Sequence, residues 1–561
     1  MNVKRHMLHR WNRCDCARGA LGFLLATSAC ATQAAQIYSD GDWSVQWNNT
    51  AAYSVGMRMQ DIDPGIGNNP LLQNSEYKFD DVGDIVTNRL SLLTEIGIRH
   101  GNDYGLRVSA DAWHDFAYDN HTIKTNPDLA AYSSGNPDNE YSHYIKRYYN
   151  QGLQLDDAFV YSNTDLFGTP VQIKAGRLTE FWGNALFAGF QSISYSQSPL
   201  DVIKATTAPG TEVKELFLPR AQLSLHAQLS DSLAVGAQYF LEWRANRLPE
   251  GGTFLGIVDP AFFSGSGSIE GQVPRGPNDE PDNLHNNLGV NVKWQPDGDY
   301  GTLGFYYRHF DETMPYTPIL IGLGGDPLAP YYHLSFARNV DLYGLSLDRN
   351  LGPVSLGLEA SYRRGTALYS MPGGVSNTDG AKGNTLNVVA NGIYGLTPNF
   401  LYDTGAVILE VAYTRVLDVT SNEELYNGEG YAPCAGLGRT DGCATKDNVS
   451  TTLNIDPQWL QVFPGTDIDL PLNFNIGVYG NGQYLGTAFT GNVQGSVAYS
   501  LGVRAVYRGK YSVKLAYNGY YAEPGKQPSQ DAGAGPYVPT GTGTYMWNDK
   551  GWLSLVLKAS F

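Results

Sequence analysis

The sequence predicts an all-β fold, a single antiparallel transmembrane β-barrel of about 18 strands. Three observations predict it: strict alternation of apolar and polar residues recurs along the chain, tight turns alternate with long connections, and the last strand ends in phenylalanine.

Successive side chains of a strand point to opposite faces, so each alternating run sorts its residues into two sets. Leu90, Leu92, Thr94, Ile96 and Ile98 share a face, with Arg89, Ser91, Glu95 and Arg99 behind them. Leu233, Val235, Ala237, Tyr239, Leu241 and Trp243 oppose Gln238, Glu242 and Arg244. Leu356, Leu358, Ala360 and Tyr362 oppose Glu359, Ser361 and Arg363; Val497, Tyr499, Leu501, Val503, Ala505 and Tyr507 oppose Ser500, Arg504 and Arg508. A Lys or Arg facing lipid near the midplane costs about 2–4 kcal/mol, which is why the charges keep to one face. Trp43, Trp47, Trp243, Trp294, Tyr507 and Trp552 close several runs and suit girdles at the headgroup level.

Strands are expected to begin near residues 43, 87, 104, 152, 170, 217, 232, 286, 300, 338, 354, 383, 404, 449, 470, 494, 510 and 549. Tight links fall at 101–103, 230–231, 296–299, 352–353 and 509–510. Long ones fall at 59–86, 118–151, 180–216, 247–285, 312–337, 366–382, 419–448 and 524–548. Short periplasmic turns and long extracellular loops are the pattern of a membrane barrel, and both chain ends then lie in the periplasm. One closed sheet satisfies every backbone donor and acceptor without an edge.

The C-terminal strand alternates Leu553, Leu555, Leu557, Ala559 and Phe561 against Trp552, Ser554, Val556, Lys558 and Ser560. An amphipathic last strand with a terminal Phe resembles the signal read by the barrel-assembly machinery, an expected partner. At the other end, Lys4, Arg5, Arg10, Arg13 and Arg18 precede a short apolar run at 20–29 and the small residues Ala34 and Ala35. Residues 1–35 therefore read as a cleaved signal peptide and 36–561 as the barrel. The rival reading, a lipoprotein cysteine at Cys30, meets Thr27 where Leu is usual. Export and a barrel together predict the outer membrane of a Gram-negative bacterium.

The chain carries −17; the signal takes away five basic residues and one acid (Asp15), leaving about −21 on 36–561. That acidity argues against nucleic acid as a partner and suits loops facing outer-membrane lipid and cation-bridged lipopolysaccharide. Cys434 and Cys443 form a close pair in one Gly-rich loop, read as a disulfide in an oxidising compartment; the alternative two-Cys metal site lacks neighbouring His. No zinc-helix motif, P-loop, dinucleotide fingerprint or nucleophile elbow occurs, and the eight His outside the signal show no ligand spacing, so neither an enzyme nor a cofactor is expected. The loop acids Asp61, Asp63, Asp80, Asp81 and Asp84 have calcium-ligand chemistry, or are simply solvated.

The segment from Arg177 to Pro219 stands apart. It contains Phe181, Trp182, Phe187, Phe190 and Tyr195, too apolar for a free surface loop. Either 180–216 enters the lumen and narrows it, making Arg177, Phe181, Trp182, Phe187, Phe190 and Tyr195 the constriction, or it is an external loop packed on others. Arg89, Arg107, Glu95, Arg244, Glu242, Arg308, Glu359, Arg363 and Arg504 are candidates for lumen charges, with Arg58, Arg99, Asp111, Asp348, Glu410 and Arg508 facing the same way. Such charges set ion selectivity, or pair across strands and hold the wall in shape.

Gly41-Asp42-Trp43-Ser44-Val45, Asp61-Ile62-Asp63-Pro64 and Gly83-Asp84-Ile85-Val86-Thr87-Asn88-Arg89-Leu90 resemble the family filed as domain of unknown function 1302. Gly176-Arg177, Trp182-Gly183, Pro209-Gly210, Glu212, Lys214-Glu215 and Leu218-Pro219 extend the resemblance, and Ser198-Pro199-Leu200-Asp201 departs from the usual Asn-Pro-Val-Asp. The resemblance implies an outer-membrane protein handling a hydrophobic compound such as a steroid. The resulting expectation is passive transport of a hydrophobic or amphipathic small molecule, with a periplasmic carrier protein as a candidate partner. A general porin for hydrophilic solutes and an adhesin acting through its loops are the alternatives.

Overall fold

The computed structural model describes residues 35–67, 77–124, 126, 140–256, 268–269, 273–274, 276–282, 287–298, 300–316, 333–371, 379–483, 492–523 and 544–561. The expected signal peptide lies outside the described residues apart from Ala35.

Eighteen strands form one closed antiparallel barrel. They are β1 (Trp43–Arg58), β2 (Ile85–His100), β3 (Tyr104–Asp115), β4 (Gln151–Leu166), β5 (Thr169–Leu178) and β6 (Arg220–Ser230). Next come β7 (Leu233–Phe240), β8 (Leu288–Trp294), β9 (Thr302–Phe310), β10 (Val340–Leu351), β11 (Val354–Ala367) and β12 (Lys382–Gly395). The ring is completed by β13 (Thr404–Ser421), β14 (Asp447–Phe463), β15, β16 (Val497–Tyr507), β17 (Tyr511–Tyr521) and β18 (Trp552–Ser560). Strand β15 comes in two pieces, Thr466–Asp469 and Leu472–Tyr479, because Pro471 has no N–H to give the ladder. Each strand pairs with its neighbours in sequence, and β1 pairs with β18 from Thr50↔Ser560 to Arg58↔Trp552, closing the ring. A short strand, Ala35–Asp40, folds back on the start of β1.

The expected strand starts fall within four residues of those observed, since alternation reports strands well wherever one face is apolar. The expected tight links at 101–103, 230–231, 352–353 and 509–510 are turns, and 296–299, where Asp299 lies outside the described residues, falls between β8 and β9. One end of the barrel has only short connections, the longest being 396–403, and both chain ends lie there. The other end carries nine long ones, including 480–496, which the sequence reading had compressed.

Burial follows the pleat. On β11 and β13, Glu359, Arg363 and Glu410 are at most 3 % exposed, whereas Leu358 and Leu409 beside them are 41 % and 46 % exposed. The outer face is thus apolar and open and the inner face polar and covered, the reverse of a soluble barrel. Trp43, Trp47, Trp294 and Tyr507 are exposed on the outer face, as a girdle requires. Trp243 and Trp552 depart from that expectation. Strand β7 ends at Phe240, so Trp243 turns in and packs edge-on against Phe336 at 4.8 Å, and Trp552 points inward against Phe254. Arg508 also departs: it occupies the β16–β17 turn with φ 53° and is exposed rather than facing inward.

Candidate functional site: the segment 179–219 and the wall that holds it

Segment 179–219 leaves β5 and is bonded to the polar faces of strands on both sides of the ring. The first half meets β11 and β13. Glu359 accepts backbone N–H groups from Asn184 (2.8 Å), Ala185 and Ile193 (2.8 Å). Glu410 accepts from Leu186 (2.6 Å), Phe187 (2.7 Å) and Ala188 (2.5 Å). Five successive amides, 184–188, therefore end on two carboxylates, where an irregular chain would otherwise carry unsatisfied donors. Asn391 on β12 donates to Asn184 O and accompanies them. Gly183 lets the chain approach so closely: its φ is +90°, and a Cβ there would lie 2.7 Å from Glu359 Oε2.

Short helices organise the second half. Asp201 caps α1 (Val202–Thr207) by accepting from Lys204 N, and Glu212 and Glu215 form a capping box around α2 (Val213–Leu216). Lys204 Nζ meets Asp111 on β3 at 2.5 Å with both side chains buried, and Asp201 pairs with Arg247. Lys214 meets Glu95 on β2 at 2.5 Å, and Glu212 meets Lys558 on β18 at 3.4 Å. Glu95 also pairs with Arg107, which reaches Asp157.

The predicted constriction residues take different positions. Trp182 and Tyr195 are buried in one cluster with Ile193, Tyr306 and Phe310. Tyr195 donates its hydroxyl to Glu312 at 2.7 Å, and its ring lies 4.1 Å from the Arg363 guanidinium. Phe181 packs edge-on against Phe217 at 4.5 Å, and Phe187 and Phe190 are partly buried. Arg177 pairs with Glu242 at 2.6 Å. Arg244 lies beyond the end of β7 and donates to Pro219 O.

The charge candidates divide similarly. Arg308 and Arg363 donate to backbone carbonyls at 192, 193 and 195, Arg89 lies over the Trp113 ring, and Arg504 pairs with Asp469 at 2.9 Å. Lys204, Arg247 and Glu312 join the site without a sequence signal, and Asp201 enters the sequence reading only through the family resemblance. Glu312 is fully buried in the β9–β10 connection; burial pushes its carboxyl above the usual range, against hydrogen bonds from Thr366, Tyr195 and Ala367. Nothing local marks it, because its partners lie 54 to 117 residues away.

Elsewhere, Cys434 and Cys443 form the expected disulfide. The acids of 61–84 serve the loop backbone: Asp61 accepts from Val82 N, Asp63 from Gly65 N and Asp84 from Asp81 N. Among the described residues no three metal-ligating side chains gather, and no helix is long and apolar enough to cross a membrane.

Residues 16–561 match the family described as "Protein of unknown function (DUF1302)". The chain belongs to that family. This DUF1302 barrel is also similar to solved structures. OccAB3 of Acinetobacter baumannii shares 10 % identity over 92 % of this chain and 99 % of its own, with a TM-score of 0.42. OpdK of Pseudomonas aeruginosa with vanillate shares 8 % over 92 % and 98 %, at 0.40. The outer membrane channel DcaP of A. baumannii shares 10 % over 94 % and 100 %, at 0.37. No curated protein matches.

Proposed function

We propose that this protein is a passive channel of the Gram-negative outer membrane for a hydrophobic or amphipathic small molecule, steroid- or lipid-like, with segment 179–219 narrowing its lumen. One observation carries the reading: a segment rich in aromatic residues is bonded through its backbone to the polar inner faces of β11 and β13 and, farther along, through side-chain ion pairs to those of β2, β3 and β18. A ring of 18 strands leaves a water-filled interior unless something fills it. Trp182 and Tyr195 are buried, so the partly exposed rings of Phe181, Phe187 and Phe190 are the apolar groups assigned to cargo. The outer apolar belt meets lipid and, at the loop end, lipopolysaccharide. Further partners on this reading are the barrel-assembly machinery at 553–561 and a periplasmic carrier.

Single-channel conductance in planar bilayers tests it, with the intact protein and with 184–214 replaced by a short Gly-Ser link. The expected result is low conductance that rises sharply on replacement. High conductance unchanged by replacement defeats the constriction. A second reading, a general porin for small hydrophilic solutes, draws on the polar lining beside Phe187 and Ala188, where Glu410, Ser450, Thr451, Thr452 and Asn475 border a small cavity. Relative flux of sugars and of long-chain amphiphiles into liposomes separates the two.

A further inference from the structure

Three guanidiniums, Arg220 on β6, Arg308 on β9 and Arg363 on β11, are buried at the interface between segment 179–219 and the wall. Arg220 is hydrogen-bonded through Nε to Glu242 O, through Nη1 to Ser196 O and through Nη2 to Asn287 Oδ1. Arg308 is different. Its Nη1 donates to two neutral carbonyls, Ile193 O at 2.8 Å and Tyr195 O at 2.6 Å, while its buried Nη2 has no partner. Among the described residues no carboxylate pairs with it.

Three more buried donors without a partner lie on the same patch: Trp182 Nε1, Gln238 Nε2 and Asn291 Nδ2. The register brings them together. Gly289 is the pairing partner of Gln238 on one side and Arg308 on the other. A Cβ on Gly289 would lie 2.7 Å from the six-membered ring of Trp182 and 3.2 Å from Arg308 Cγ, so the indole and the stem of Arg308 meet over that glycine. Asn291 stands two residues along β8 on the same face. Gln222 Oε1, on β6, is a buried acceptor without a partner in this region.

Four buried donors without a partner, one of them charged, thus stand at neighbouring positions of one patch of the wall. A guanidinium buried without a counter-charge is strongly unfavourable, and every stranded N–H adds its own desolvation cost. Water accepts hydrogen bonds but brings no charge. We propose that Arg308, Trp182, Gln238 and Asn291 form a buried binding site for a small monovalent anion, filled by a halide or by the carboxylate head of an amphiphile. The site does not depend on the channel reading, because it follows from unmatched charge and donors alone.

Bromide-soaked crystals of the full chain test it through anomalous scattering. The expected result is a bromide peak within hydrogen-bond distance of Arg308 Nη2 and Trp182 Nε1. The peak is lost in Arg308→Met and weakened in Trp182→Phe, which keeps the packing and deletes one donor. Co-crystals with dodecanoate separate the sources: density for a carboxylate in place of bromide assigns the site to an amphiphile's head, and bromide retained beside it assigns a resident ion. A wild-type site holding only water with both probes overturns the proposal, as does a bromide peak that survives Arg308→Met.

Discussion

The two halves of segment 179–219 are attached by different chemistry. On the side of β11 and β13 the chain's own amides point at wall carboxylates; on the side of β2, β3 and β18 its side chains form ion pairs. Amides fixed in the backbone have little freedom to move away, so Glu359 and Glu410 demand one conformation of 184–193. Lysines on long stems tolerate displacement, especially Lys214, whose side chain is 36 % exposed. The first attachment specifies shape and the second mainly position.

The largest effect should come from Glu359→Ala with Glu410→Ala. Each change strands three amides, and each stranded donor costs about 1–3 kcal/mol. We expect raised single-channel conductance and a lower thermal midpoint; unchanged conductance would show that the ion-pair side alone holds the segment. Next is Lys204→Met, which leaves Asp111 buried and unneutralised at a cost of about 3–5 kcal/mol, read by chemical denaturation. Lys204→Met with Asp111→Leu should recover most of that loss. Cys434→Ser with Cys443→Ser should cost about 2–3 kcal/mol through loop closure and leave conductance unaltered, because the anchors of the segment at Glu359, Glu410, Asp111, Glu95 and Lys558 lie on strands, outside that loop. Gly183→Ala forces a methyl against Glu359 from a positive φ, for about 1–3 kcal/mol and more frequent opening events in conductance traces. Smallest is Lys214→Ala, half-exposed and salt-screened, at under about 1 kcal/mol in thermal unfolding.

The barrel was legible in the sequence because each strand writes its own alternation locally: Leu356 to Arg363 announces two faces without reference to any other strand. The anomaly of 177–219 was legible from composition. Its anchors were not, since Glu359 reaches Ile193 across 166 residues and Glu410 reaches Leu186 across 224. Sequence placed both carboxylates on the inner face and could not say what they held. Trp243 and Trp552 show the complementary failure: an aromatic at a strand end looks the same whether it turns to lipid or into the loop core. The pause at Pro471 and the length of 480–496 were lost because Gly and Asn mark turns of either kind.

Closure of the ring carries one more consequence. Thr50 on β1 meets Ser560 on β18 across 510 residues, so the first strand made waits for the last. Lys558 then touches Glu212, and Val556 fills the space that a side chain on Gly210 would occupy. The final strand therefore seals the wall and touches segment 179–219 in one event. A chain lacking 552–561 has neither a closed perimeter nor the contacts of Glu212 and Gly210 with the wall, so the C-terminal decapeptide serves two joints at once.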